Sequence, residues 1–172
     1  MRIVLLGYMA SGKSTIGKVL AKNQNLPFID LDDYIESKFE KSISDIFKDE
    51  GEIFFRLQEH EAIKEIFEKQ DKFVLSLGGG TPCYANNMDL INGFENTNSL
   101  YIKLSIPTLY KRLLSQKENR PLVANIPEEE LQEFIAKHLF ERSYFYEMAK
   151  YKVRTDNQKV EDTISEIQEL LF

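Results

Sequence analysis

Apolar residues in this chain fall into short unbroken runs separated by longer amphipathic stretches. The runs Arg2–Leu6, Phe28–Leu31, Lys72–Leu77, Ser99–Lys103 and Lys152–Thr155 read as strands. Uninterrupted segments such as Ile3-Val4-Leu5-Leu6 suit strands buried on both faces. Between them, helices are predicted over Lys13–Asn23, Asp32–Glu40, Glu52–Lys69, Pro107–Lys117, Pro127–Lys150 and Val160–Leu171. In the last of these, Val160, Ile164, Ile167 and Leu171 share one apolar face. Pro127 followed by Glu128, Glu129 and Glu130 is a helix start, with proline in the first turn and acids at the positive end of the dipole. The alternation predicts an α/β fold with a mainly parallel sheet, whose ligands sit at the carboxyl ends of the strands.

The first strand runs into Gly7-Tyr8-Met9-Ala10-Ser11-Gly12-Lys13-Ser14-Thr15, which fits the P-loop pattern G-x-x-x-x-G-K-[ST] in its required strand–loop–helix context. Glycines there let backbone N–H groups cradle phosphate oxygens, and the helix N-terminus adds its positive end. Ala10, Ser11, Gly12 and Thr15 complete the phosphate cradle. Lys13 is placed to reach the β- and γ-phosphates and Ser14 to ligate Mg²⁺. The motif predicts a nucleotide-binding protein. Gln116–Ile126, the least regular stretch, is then either a surface loop or a mobile lid over the nucleotide.

Composition narrows the class. At 172 residues, 42% hydrophobic and 29% charged, the chain suits one ordinary globular domain. A strand beginning at the second residue leaves no room for a targeting peptide, and no apolar run has the length of a membrane span. Cys83 stands alone, which excludes an internal disulfide and suits the cytoplasm. Net charge −6 argues against a nucleic-acid partner. It also means that the positive charge needed for an anionic ligand must be local. Sixteen lysines stand against six arginines, Arg2, Arg56, Arg112, Arg120, Arg142 and Arg154, and arginine's planar fork is the better match to phosphate and carboxylate.

A P-loop enzyme takes an acid from another strand end to organise Mg²⁺. The strand ending at Leu77 enters Gly78-Gly79-Gly80 and offers none, so Asp30 and Asp32 in Phe28-Ile29-Asp30-Leu31-Asp32-Asp33 are the candidates. Asp30 would hold the metal through water and Asp32 would orient or deprotonate an acceptor hydroxyl. The competing role for Asp32 and Asp33 is to cap the next helix. The three glycines read as backbone that a small substrate approaches closely. Arg56, among Phe47, Phe54 and Phe55, is either a snorkelling core residue or the cationic anchor of an apolar pocket for a small acid. His60 and His138 lack metal-ligand spacing and read as structural or exposed; Cys83 is assigned no catalytic role.

These blocks, in this order, resemble the shikimate kinase family. The likeness spans Gly7–Gly17 (GYMASGKSTIG), Phe28–Asp32 (FIDLD), Ile46–Glu59 (IFKDEGEIFFRLQE), Leu75–Pro82 (LSLGGGTP), Asn119–Leu122 (NRPL) and Glu141–Ala149 (ERSYFYEMA). The resemblance implies a three-layer α/β/α P-loop kinase with a five-stranded parallel sheet over residues 1–172. It also implies a substrate-binding segment near 31–60 and a mobile lid near 114–126. The implied reaction is ATP-dependent phosphorylation of the 3-hydroxyl of shikimate, with Mg²⁺, in a monomer free of nucleic acid and membrane. Carried over residue by residue, Lys13 and Ser14 contact phosphate and metal, with Asp30 near the metal. Asp32 binds the substrate hydroxyls and is the candidate base. Arg56 and Arg142 hold the carboxylate, Gly78–Gly80 line the ring, and Phe47 and Phe55 form apolar walls. Arg120 swings from the lid onto the transferred phosphate, and Arg112 stacks on adenine.

Three positions depart from the family pattern. Ala10 replaces a usual glycine, Tyr144 a common proline, and Thr155-Asp156-Asn157-Gln158-Lys159 lacks a proline that often flanks adenine. The alternatives are another small-molecule kinase of this fold, acting on gluconate or a nucleotide, and a non-catalytic ATP-binding module. The first is disfavoured by Arg56 with Asp30, Asp32 and Gly78–Gly80, the second by the presence of every proposed catalytic charge.

Overall fold

The pattern of apolar runs finds its reason in a parallel sheet covered on both sides. A computed structural model describes residues 1–172, apart from the side chains of Asn119 and Pro121. Among the described residues, the sheet has strands β1 (Arg2–Leu6), β2 (Phe28–Asp30), β3 (Phe73–Ser76), β4 (Thr97–Lys103) and β5 (Tyr151–Arg154) in the order β2-β3-β1-β4-β5. All pairings are parallel. Ile3, Val4, Leu5 and Leu6 in the central strand are fully buried, as expected where no face meets water.

Side-chain alternation along the strands separates two cores. Ile3, Leu5, Val74, Leu100 and Val153 face helices α1 (Lys13–Asn23) and α8 (Val160–Leu171), packing on Leu20, Ile164 and Ile167. Val4, Leu6, Phe73 and Leu75 point the other way. That second core receives α2 (Leu31–Phe39), α3 (Ile43–Lys69), α4 (Asn87–Gly93), α5 (Ile106–Gln116) and α7 (Glu128–Tyr146). Three layers follow from this alternation alone. Among the described residues, no helix is long and apolar enough to cross a membrane.

Several boundaries differ from the sequence pattern for local reasons. The span Ile43–Lys69 is divided by Gly51, which is non-helical at φ 84° and ψ 173°, so the helix expected from Glu52 starts there. A further helical segment precedes it from Ile43, where Ser42 accepts from the Asp45 N–H at 3.1 Å. Helix α4, seven residues long, is too short to show a period. Helix α7 stops at Tyr146 rather than Lys150, as Met148 and Ala149 turn the chain toward β5. The irregular stretch after α5 holds a 3₁₀ turn at Lys117–Asn119 and the short α6 (Pro121–Ala124).

The chain leaves β1 through Gly7, at φ 150°, where an added Cβ would lie 2.6 Å from the Ile102 carbonyl oxygen of β4. The obstacle is backbone and cannot rotate away. We expect Gly7→Ala to destabilise the fold by about 2–4 kcal/mol, combining strain with overpacking. Thermal unfolding should show a midpoint lower by roughly 5–10 °C; an unchanged midpoint would mean that this crossing is looser than its geometry.

Candidate active site

The carboxyl ends of β1, β3 and β2 lie side by side, and each hands over to one part of the site. Beyond β1, the loop ends at Gly12, in the left-handed region at φ 92°, and enters α1 at Lys13. Ala10 also adopts a positive φ of 62°, so this loop carries a Cβ where glycine would be unstrained, at a cost of about 1 kcal/mol. Lys13 folds back inside it, its Nζ donating to the carbonyls of Gly7 at 2.9 Å and Tyr8 at 3.0 Å. Burial holds the Lys13 ammonium down at about 8, with Arg120 adding to the effect and Asp32 and Asp30 opposing it. Arg112 braces the loop from outside, donating from Nη1 to the carbonyls of Ala10 at 3.2 Å and Ser11 at 3.3 Å.

Beyond β2, Asp30 does two jobs. Its Oδ1 accepts from the Asp32 N–H at 3.1 Å and caps α2, so the capping role weighed against a catalytic one for these acids falls to Asp30. Its Oδ2 accepts from the Ser14 hydroxyl at 2.8 Å. A hydroxyl beside a carboxylate is a hard-oxygen donor set of the kind Mg²⁺ accepts. Among the described residues no cluster of three or more His, Cys, Asp or Glu could hold a metal.

Asp32 is the second residue of α2, in its first turn, and is mostly withdrawn from water. Burial first, then Asp30 and Glu59, push its carboxyl up to about 6, with Lys13 pulling the other way. Beyond β3, Gly78 packs against this group, and a Cβ there would approach Asp32 Oδ1 to 3.1 Å.

Arg56 is fixed from several directions. Its Nη1 donates to Glu59 Oε2 at 2.8 Å, while Glu59 Oε1 accepts from the Thr81 hydroxyl at 2.5 Å. The Tyr84 ring lies 4.3 Å from its guanidinium carbon, and the Phe55 and Phe47 rings lie at 5.3 and 5.9 Å. Gly80 admits the group; a Cβ there would meet Nη2 at 2.7 Å. Its Nε is buried without a hydrogen-bond partner, 3.5 Å from Glu52 Oε1. Glu59, although 1% exposed, still has its pKa raised, burial outweighing Arg56 and Thr81. On α7, Arg142 Nη1 donates to the His138 carbonyl at 3.3 Å. Arg120 reaches the Gln116 side-chain oxygen through Nε at 3.2 Å and Nη2 at 3.0 Å.

Two cavities meet at Asp32 and Arg120. One, of about 360 Å³, is lined by Phe47, Phe55, Arg56, Gly80 and Arg142. The other, of about 470 Å³, is lined by Lys13, Ser14, Thr15, Asp30 and Arg112. Gly78 and Gly79 border both. Ser11 instead lines a smaller recess of about 130 Å³ with Thr155 and Gln158, while Gly12 and Arg112 border both that recess and the second cavity. Asn119 and Pro121, two members of the NRPL block, have side chains outside the described residues. Glu59, Tyr84, Tyr146 and the P-loop Tyr8 brace the site although the sequence assigns them no role of their own. His138, read as structural or exposed, is half-buried and lines the first cavity. Helical spacing carried the missing signal, since His138 and Tyr146 lie one turn either side of Arg142.

Known proteins resemble this chain along nearly its whole length. The family model described as shikimate kinase matches residues 9–172. A shikimate kinase of Flavobacterium johnsoniae is 49% identical, covering 99% of this chain and 98% of its own length. One of Flavobacterium psychrophilum is 47% identical, covering 99% of each. Among solved structures, a shikimate kinase from Bacteroides thetaiotaomicron superposes with a TM-score of 0.91 at 36% identity, over 99% of this chain and 98% of that one. A shikimate kinase from Acinetobacter baumannii in complex with shikimate superposes with a TM-score of 0.85 at 29% identity, over 99% and 92%.

The electrostatics of Asp32 generate a prediction about stability. Its folded pKa, about 6, lies above the ordinary 3.8, so at neutral pH the fold carries a charge it disfavours. Asp32→Asn should therefore stabilise the ligand-free protein by about 1–2 kcal/mol at pH 7. The difference should shrink as pH falls from about 6 toward 4, where the native carboxyl is protonated. Denaturant titration at pH 7 and pH 5 checks both; a destabilised variant at pH 7 would contradict the assigned burial.

Proposed function

This chain belongs to the shikimate kinase family, whose members transfer the γ-phosphoryl group of ATP to the 3-hydroxyl of shikimate, and we propose how its residues share that work. The reading is carried by one observation: a cavity bearing two arginines opens onto a phosphate loop, with Asp32 and Arg120 at the junction.

In this reading, Ala10–Thr15 receive the triphosphate. Lys13 exchanges its two loop carbonyls for β- and γ-phosphate oxygens, and their negative charge returns its ammonium to the fully protonated state. Ser14, and Asp30 through water, would hold Mg²⁺, which supplies charge neutralisation across the phosphates when bound. Arg112, braced on the loop, lies toward the base. The substrate-binding segment near 31–60 and the wall Gly78–Gly80 enclose shikimate. Arg56 and Arg142 take its carboxylate, and Phe47 and Phe55 cover the ring.

Asp32 then faces the acceptor hydroxyl. A carboxylate with its pKa raised to about 6 is largely ionised at neutral pH and more basic than an exposed one, which suits a proton acceptor. Closure of the lid near 114–126 would swing Arg120 from Gln116 onto the phosphoryl group, where charge spreads over its equatorial oxygens. Positioning and neutralisation carry such a transfer, with little covalent help from the protein. A single chain lines both cavities, which supports a working monomer, and the ATP donor supports a place in the cytoplasm.

Turnover is tested by ADP release from MgATP with shikimate, gluconate or AMP as acceptor. Release with shikimate alone is expected; release with either rival instead would overturn the pocket assignment. Arg56→Ala should raise the KM for shikimate about 10- to 100-fold through loss of charged hydrogen bonds, with the smaller effect on kcat. Arg120→Ala should instead lower kcat by about 10³-fold. Across pH, kcat/KM for shikimate should fall on the acid side with a midpoint near 6, as Asp32 of the free enzyme takes up a proton. A rate that is flat from pH 7 to pH 5 would remove Asp32 from the role of base.

A further inference from the structure

Helix α7 offers His138, Arg142 and Tyr146 to the first cavity at successive turns. The two outer residues are each fastened to a different loop of the site. Tyr146 Oη donates to the Gly79 carbonyl at 2.6 Å. The His138 ring shares a hydrogen bond with Tyr8, 2.8 Å from Nδ1 to Oη. Arg142, between them, is joined to this frame through its bond to the His138 carbonyl.

Tyr8 belongs to the P-loop. Its carbonyl accepts from Lys13 Nζ and, at 3.2 Å, from the Ser11 N–H. A single residue therefore touches the phosphate-binding lysine through its backbone and the acid-binding helix through its side chain. Packing alone would be met by phenylalanine, since Tyr8 is 2% exposed, and a buried hydroxyl is costly unless partnered. The imidazole is held in place on its own account, with the Tyr8 ring edge-on at 5.4 Å and Phe134 at 5.1 Å. Burial and Arg142 keep the ring neutral, its pKa lowered to about 4. The Tyr8 phenol, raised by burial, keeps its proton.

We infer that Tyr8 and His138 are positioning residues, whose hydrogen bond fixes Arg142 relative to the P-loop so that nucleotide and shikimate reinforce each other's binding. The inference rests on the reading that Arg142 holds the shikimate carboxylate. Coupling of this kind is reciprocal: whatever ADP adds to shikimate affinity, shikimate adds to ADP affinity.

Isothermal titration of the full chain with shikimate, with and without saturating MgADP, tests it. Wild type should bind shikimate more tightly in the presence of MgADP. Tyr8→Phe, which removes one oxygen and keeps the packing, should lose about 2- to 10-fold in shikimate affinity with MgADP present, the worth of one hydrogen bond. It should also bring the ratio of the two affinities close to one. His138→Leu should do the same, and the double variant should be no worse than either alone. His138→Asn, with an amide oxygen near the place of Nδ1, should recover part of the loss. The same affinity with and without MgADP in wild type, an unchanged ratio in Tyr8→Phe, or additive losses in the double variant would each overturn the inference. Arg142→Ala separates the two readings. If it weakens shikimate binding while Tyr8→Phe does not, only the coupling fails; if it has no effect, the assignment of Arg142 fails first.

Discussion

The alignment of β1 with β3, and of β3 with β2, is the constraint on which the site depends. Parallel pairing in register, Val4 opposite Leu75 and Ile29 opposite Leu75, brings three strand ends to one edge of the sheet. The phosphate loop, the Asp30–Asp32 pair and the glycine wall are each the next residues along those strands. A one-residue slip would exchange the faces of every side chain in a strand, and here would exchange core for core on a sheet with no solvent face. The fully buried run from Ile3 to Leu6 therefore fixes the depth of the strand, and register rests on how its side chains fit the two cores.

On that frame the site concentrates charge that an acidic protein of net −6 would otherwise spread. Lys13, Arg56, Arg120 and Arg142 converge, and carboxylates are interleaved among them. Glu59 orients Arg56, Asp30 holds Ser14, and Asp32 is left facing both. Desolvation is the largest influence on Lys13, Asp32 and Glu59, so holding these charges in one place costs the fold electrostatically. A site that buries charge is less stable than a neutral one of the same shape, the usual exchange between activity and stability.

Close approach matters as much as charge. Gly78 and Gly80 bring backbone within reach of Asp32 and Arg56, where a single Cβ would collide. The guanidinium of Arg56, with Tyr84 on it and Glu59 beside it, has little freedom left. Orientation of this kind lowers the entropy that substrate binding must supply.

The alternation of strands and helices, the phosphate loop and most of the charged groups are legible in the chain alone, because these are local. A buried parallel strand needs a continuous apolar run, and a P-loop needs its glycines and lysine in fixed succession. What depends on distance along the chain was decided only by the tertiary structure. Asp30 rather than Asp32 or Asp33 became the cap of α2, as backbone geometry and Ser14 together selected it. The helical segment of α3 before Gly51 stayed unread because that non-helical residue breaks the period, which no window spanning the kink can recover. Tyr146 and the pair Tyr8–His138 have no role that local pattern reveals. Their partners lie 67 and 130 residues away, and a hydrogen bond between distant residues leaves no spacing to read until folding brings its two ends together.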